Sequence, residues 1–98
     1  MPGKFVAIVE DQTDVQNNYV DALRRDGYRS RGYDSGEKAL EAFQNKLPDL
    51  VIIDINLGEG MDGLDLCSEL RSRSETLPIM ILTAKEGEIN QAAGLTRG

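Results

Sequence analysis

Short, continuous apolar runs alternate along this chain with longer stretches in which apolar residues recur at helical spacing. Three runs are almost entirely apolar, at residues 5–9, 50–53 and 79–82. A strand that is buried on both faces of a parallel sheet has this pattern, because neither face meets water. Such strands separated by helices are typical of βαβ units, so the pattern predicts a doubly wound α/β fold.

Four helices are predicted, at about residues 14–26, from Ser35 to before Pro48, from about Gly63, and at about 86–97. Ser35 is a favourable N-cap for the second helix. Apolar residues three or four apart on each helix are expected to face the core. They are Val15, Tyr19 and Leu23; Ala39, Leu40 and Phe43; Leu66, Cys67 and Leu70; Ile89, Ala92 and Ala93.

A weaker strand is predicted at residues 28–33, which are mostly polar and include Gly32. A polar strand suits the edge of a sheet, where charged side chains discourage pairing with other chains. The predicted order of elements is therefore β-α-β-α-β-α-β-α. Sheets of this class bind ligands beyond the carboxyl ends of their strands, so the residues at those ends are the candidate site.

Acidic residues follow two of the buried strands. Glu10 and Asp11 follow the strand at residues 5–9, and Asp54 follows the strand at residues 50–53. Three ionised carboxylates ~4 Å apart would repel by roughly 4 kcal/mol per pair at an effective dielectric constant near 20. Either their pKa values rise or a cation lies among them. Oxygen ligands without His or Cys favour Mg²⁺. The alternative is that these acids are merely solvated, or that Asp11, Thr13 or Asp14 caps the first helix.

Composition narrows the classes of function. The chain has 98 residues and a net charge of -6, which argues against a nucleic-acid or anionic-membrane surface on this stretch. Cys67 is the only cysteine, so no internal disulfide forms, and it is expected to be a small core residue. No apolar run approaches the ~20 residues that span a membrane. We therefore expect a cytoplasmic protein.

Four separated motifs resemble the receiver domain of two-component response regulators. They are Val9-Glu10-Asp11, Ile52-Ile53-Asp54-Ile55-Asn56-Leu57, Met61-Asp62-Gly63 and Leu82-Thr83-Ala84-Lys85. The resemblance implies a single domain over residues 1–98 with a flavodoxin-like, chemotaxis-Y-like fold and strand order 2-1-3-4. It also implies that the family's fifth strand, its last helix and the lysine that pairs with the phosphoryl group lie beyond Gly98, so Lys85 is not that lysine.

The resemblance further implies that Asp54 accepts a phosphoryl group from a histidine kinase in a Mg²⁺-dependent reaction. The implied ligands of the metal are Glu10, Asp11, Asp54 and the backbone carbonyl of Asn56, and Thr83 is the implied hydrogen-bond donor to the phosphoryl group. Such a module switches conformation to control an output and catalyses only its own phosphorylation and dephosphorylation. Any DNA would be bound through an output domain outside this chain.

The segment 57–63 departs from the family, because it lacks the usual proline and has one residue more. It is expected to be more flexible, with Glu59 adding a carboxylate near the metal. Its G-x-G-x-x-G pattern raises the alternative of dinucleotide binding, although Glu59 and Asp62 would repel phosphates. Two further alternatives are an aspartate-nucleophile phosphatase, whose second acid is replaced here by Asn56, and a receiver-like scaffold that is not phosphorylated.

The fourth predicted strand, residues 79–82, is apolar and uncharged. Without a fifth strand it would be an exposed sheet edge that invites another chain. Either a neighbouring chain covers it, as a homodimer by swapping or edge pairing, or the parent protein continues past Gly98.

Overall fold

The structure, a computed structural model, describes residues 3–58 and 60–82. Its elements are β1 (Phe5–Val9), α1 (Thr13–Arg25), β2 (Arg29–Tyr33), α2 (Gly36–Ala42), β3 (Leu50–Asp54), α3 (Gly63–Arg73) and β4 (Ile79–Leu82). The strands form one parallel sheet in the order β2-β1-β3-β4. This confirms the doubly wound α/β fold and the strand order 2-1-3-4. The helix predicted at 86–97 lies outside the described residues.

The two central strands, β1 and β3, are buried on both faces, as their continuous apolar sequences predicted. One face of the sheet packs with α2 and α3 through alternate residues such as Val9 and Ile53, which are both fully buried. The other face packs with α1 through Ile8 and Ile52. Because fully burying such a side chain contributes about 1.5–3 kcal/mol, this core fixes the ends of both strands.

The predicted inward face of α1 needs one correction. Tyr19 is 36% exposed, whereas its neighbour Val20 is 8% exposed and packs on the sheet. Successive helical residues are rotated by about 100°, so the buried stripe through Val20 and Leu23 turns Tyr19 away from the core. Cys67, on α3, is only half-buried. It nevertheless packs against the core cluster, close to the small core residue that was predicted.

The helix starts differ in how they are capped. The Ser35 hydroxyl accepts a hydrogen bond from Lys38 N at 3.1 Å, as predicted for the start of α2. By contrast, the N-cap of α1 is Gln12, and no side chain caps this helix. Capping by Asp11, Thr13 or Asp14 is therefore wrong, and the Asp11 carboxylate is left to other interactions.

β2 lies at one edge of the sheet, as its polar sequence predicted. Among the described strands β4 pairs only with β3 and forms the other edge. Pairing of β4 with another chain stays a prediction. Within residues 3–58 and 60–82, every helix is too short or too polar to cross a membrane.

Candidate functional site

Three carboxylates meet at the carboxyl edge of the sheet. Glu10 and Asp11 directly follow β1, and Asp54 is the last residue of β3. The two strands are parallel neighbours, with Val9 paired to Ile53, so their acidic residues lie at the same edge of the sheet. One oxygen of each carboxylate lies within 4.8 Å of the others. The predicted proximity of these acids is thus present.

Glu10 is the most constrained of the three, being only 6% exposed. Its Oε2 accepts a hydrogen bond from Gln12 N at 3.0 Å. Its backbone N–H donates to Tyr33 O at 2.9 Å, and its backbone carbonyl accepts from Gln16 Nε2 at 2.9 Å. Contacts with β2 and α1 therefore fix the backbone of Glu10, and the Gln12 N–H holds its carboxylate.

Asp54 is half-buried, so its carboxylate is accessible from the sheet edge. Its Oδ1 accepts a hydrogen bond from Asn56 N at 3.2 Å. The next residue, Ile55, donates its N–H to Leu82 O at 2.9 Å, which ties the end of β3 to the end of β4. A half-exposed carboxylate on a fixed backbone is a suitable nucleophile or metal ligand.

The pKa of the Glu10 carboxyl is raised from 4.5 to about 7. Burial is the largest cause, and the neighbouring Asp54 and Asp11 add to it, while the Gln12 N–H opposes it. The pKa of Tyr19 is also raised, by partial burial and by the charges of Glu10 and Asp54. The repulsion expected from the sequence therefore contributes to the raised pKa of Glu10, beside its burial.

This shift predicts how stability depends on pH when divalent cations are removed by a chelator. The folded state binds a proton on Glu10 more tightly than the unfolded state does, so the free energy of unfolding falls as pH rises from about 4.5 to about 7. This one group accounts for about 2–3 kcal/mol of that fall. Urea titrations across the interval should show the slope, and Glu10→Gln should remove this part of it.

The matched control is Glu69→Gln, which removes an exposed carboxylate on α3, far along the chain from the cluster. The difference between the wild-type and Glu10→Gln curves isolates the contribution of Glu10. Parallel curves for these two proteins would show that Glu10 titrates normally.

The predicted site residues outside the cluster have different outcomes. Asn56 is exposed and adjoins Asp54 through its backbone N–H, and its carbonyl as a metal ligand stays a prediction. Thr83 and Glu59 lie outside the described residues.

Two contacts of the loop after β3 were not anticipated from the sequence. Gly58 has a φ of 77°, and a Cβ there would lie 3.0 Å from Asp11 Oδ2, so the backbone of the loop after β3 lies against this carboxylate. Glu37 on α2 accepts a hydrogen bond from Met61 N in the same loop, at 3.0 Å. A glycine with positive φ hints at a turn, but no local pattern indicates what the turn would contact.

The start of α3 does not support the dinucleotide alternative. The Asp62 side chain accepts a hydrogen bond from Asp65 N at 2.8 Å, and Asp65 in turn accepts one from Asp62 N at 3.4 Å. This capping box occupies backbone N–H groups at the helix N-terminus with the chain's own carboxylates. A pyrophosphate would have to displace these negative charges.

Comparison with known proteins gives a match to the response regulator receiver domain family over residues 6–98. The chain is 36% identical over 93 residues to the sensory transduction protein RegX3 of Mycolicibacterium smegmatis, covering 95% of this chain and 40% of that protein. It is 33% identical over 95 residues to the alkaline phosphatase synthesis transcriptional regulatory protein PhoP of Bacillus subtilis, covering 97% of this chain and 39% of that one. The chain thus spans about two fifths of the length of these relatives.

Solved structures give the same match. The response regulator protein TrrA of Thermotoga maritima, in complex with Mg²⁺-BeF, has a TM-score of 0.79 and 31% identity, covering 85% of this chain and 71% of that chain. A second structure holds TrrA in complex with the histidine kinase ThkA, with a TM-score of 0.77 and 32% identity, covering 83% of this chain and 69% of that chain.

Proposed function

We propose that this chain, which belongs to the response regulator receiver domain family, accepts a phosphoryl group on the carboxylate of Asp54. The observation that carries the proposal is the meeting of Glu10, Asp11 and Asp54 at one sheet edge, with carboxylate oxygens within 4.8 Å of one another. Asp54 is the nucleophile because it is half-buried and ends a central strand, whereas Glu10 is held by hydrogen bonds inside the fold.

The proposed step is an in-line displacement at phosphorus. An Asp54 oxygen forms a bond to the phosphorus atom while the bond from phosphorus to the donor's leaving group breaks, and the leaving group departs with that electron pair. With acetyl phosphate the leaving group is acetate, and with a histidine kinase it is an imidazole nitrogen. The product is an acyl phosphate, and most of the catalysis consists of positioning and electrostatic stabilisation.

The carboxylate cluster fits Mg²⁺, because it offers oxygen ligands close together and places Asp54 and Asp11 beside Glu10, whose pKa is raised mainly by burial and further by these two neighbours. Glu10, Asp11 and Asp54, with the carbonyl of Asn56, would hold the ion. When bound, it supplies positive charge that offsets the repulsion between Asp54 and an incoming phosphoryl group. In this proposal the chain's own residues orient the nucleophile: Asn56 N–H holds Asp54 Oδ1, and the sheet fixes its backbone.

Thr83 is proposed to hydrogen-bond the phosphoryl group and to move on phosphorylation. Support comes from the register, which pairs Asp54 with Leu82, the residue before Thr83 in the sequence.

In this proposal the module forms and hydrolyses only its own acyl phosphate, so it is not an enzyme in the usual sense.

A sensor histidine kinase is the proposed donor, supported by the complex of the related TrrA with ThkA. The proposed output is a DNA-binding domain outside this chain, supported by the name of PhoP as a transcriptional regulatory protein and by the larger size of the relatives. A cytoplasmic location belongs to the same proposal and rests on family membership.

Acetyl phosphate labelling followed by intact-mass measurement tests the proposal. With Mg²⁺, the protein should gain the mass of one phosphoryl group, which hydroxylamine should remove because an acyl phosphate is labile to it. Asp54→Asn should abolish the gain. Asp21→Asn, on the exposed side of α1, should leave it unchanged. Label that persists in Asp54→Asn, or that maps to Ser or Thr, would contradict the assignment.

A further inference from the structure

The loop between β3 and α3, whose described residues are 55–58 and 60–62, is closed at its base by a backbone hydrogen bond. Gly63 N donates to Ile55 O at 3.1 Å, which closes the base of the loop. The middle contains Gly58 and Gly60, with φ of 77° and 84°. Glycine has the largest conformational freedom of any residue, so a contact from outside the loop would restrict the backbone next to these glycines.

Glu37, on the first turn of α2, makes that contact. Its Oε2 accepts a hydrogen bond from Met61 N at 3.0 Å, and a Cβ at Gly60 would lie 3.0 Å from the same oxygen. A Cβ at Gly36 would lie 2.9 Å from Met61 Sδ, so the start of α2 touches the loop at a second point. Among the hydrogen bonds of residues 3–58 and 60–82, this one alone joins the backbone of the loop to a side chain of another helix.

The loop in turn touches two of the three carboxylates. Asn56 N donates to Asp54 Oδ1 at 3.2 Å, and a Cβ at Gly58 would lie 3.0 Å from Asp11 Oδ2. We propose that Glu37 is a positioning residue for phosphoryl transfer to Asp54, acting by holding this loop against the carboxylate cluster. The inference rests on the proposed function.

Two substitutions at one position separate this role from a general effect on α2. Glu37→Ala removes the acceptor of the Met61 N–H. Glu37→Gln keeps a side-chain oxygen there but removes the negative charge. In the wild type that charge also stabilises the N-terminus of α2. Glu37→Ala is expected to slow acetyl phosphate labelling about three- to tenfold and to raise the Mg²⁺ concentration for half-maximal rate. Glu37→Gln should stay within about twofold of wild type.

Glu41→Ala, an exposed position on the same helix, is the matched control and should label like wild type. Amide hydrogen exchange at Met61 supplies a readout independent of labelling, and it should accelerate in Glu37→Ala but not in Glu37→Gln. A Glu37→Ala protein that labels at the wild-type rate, or a Glu37→Gln protein as slow as Glu37→Ala, would overturn the inference alone. A wild-type protein that takes no label would overturn the proposed function, and the inference with it.

Discussion

Asp11→Ala is expected to lower the affinity for Mg²⁺ at least about 100-fold, since replacing even an outer-shell partner of a metal ligand often costs 10- to 100-fold. Its carboxylate belongs to the cluster within 4.8 Å and is not used to cap α1. Labelling of Asp54 by acetyl phosphate should therefore fall to the level measured with a chelator. NMR titration with Mg²⁺ and intact-mass kinetics measure the two effects.

Asp14→Ala is the matched control, because Asp14 is also exposed near the start of α1 but lies outside the cluster. It should bind Mg²⁺ and take label like wild type. Without Mg²⁺, Asp11→Ala should unfold with at least the wild-type free energy, since it removes one charge from a repelling group. Unchanged Mg²⁺ affinity would show that Asp11 is not a ligand, and a loss of stability would show that it has a structural role.

The strands were predictable because their signals are local, whereas their order was implied only by the resemblance to the receiver family. Residues 50–53 are apolar without interruption, and this pattern follows from burial on both faces. Asp54 is the last residue of the central strand β3, and Glu10 directly follows β1, the parallel neighbour of β3. Once β1 and β3 are known to be parallel neighbours, the proximity of these two carboxylates follows from chain direction.

Contacts that depend on the path of loops were not predictable. Glu37 meets Met61 across 24 positions of sequence, and the loop turns so that Gly58 lies beside Asp11. Neither contact leaves a periodic signal. Greater flexibility of the loop, expected because it lacks a proline, stays a prediction, but Met61 near its end is bound by a side chain from α2. Sequence pattern describes the loop's own residues, not the neighbour that restrains them.

The face of α1 shows a different failure, because apolar residues compete for the same stripe. Tyr19 and Val20 are adjacent, and both fit a helical spacing with other apolar residues. The sheet selects Val20, which is 8% exposed, while Tyr19 lies near enough to Glu10 and Asp54 to feel their charge. A large aromatic ring with a polar hydroxyl is better accommodated at the border of the core than inside it.

Gly63→Ala is expected to destabilise the fold by about 2–3 kcal/mol, although alanine is normally the better helix former by about 1 kcal/mol. A Cβ at Gly63 would lie 2.5 Å from the backbone oxygen of Asp54 and 2.6 Å from Ile55 Cα. These are backbone atoms of the proposed phosphoacceptor segment, so relief of the clash must move Asp54 or the start of α3. The variant should therefore also label more slowly, as chemical denaturation and intact-mass kinetics would show.

Gly36→Ala is the control that isolates the cause. Gly36 is likewise the first residue of a helix and likewise buried, but its Cβ would meet Met61 Sδ, at 2.9 Å, near the end of a flexible side chain. Because Met61 can change rotamer where backbone cannot yield, Gly36→Ala should stay within about 1 kcal/mol of wild type. Equal destabilisation by the two substitutions would mean that loss of glycine at a helix start, and not contact with the Asp54 backbone, is responsible. A stabilised Gly63→Ala protein would mean that α3 can withdraw from the end of β3 without cost.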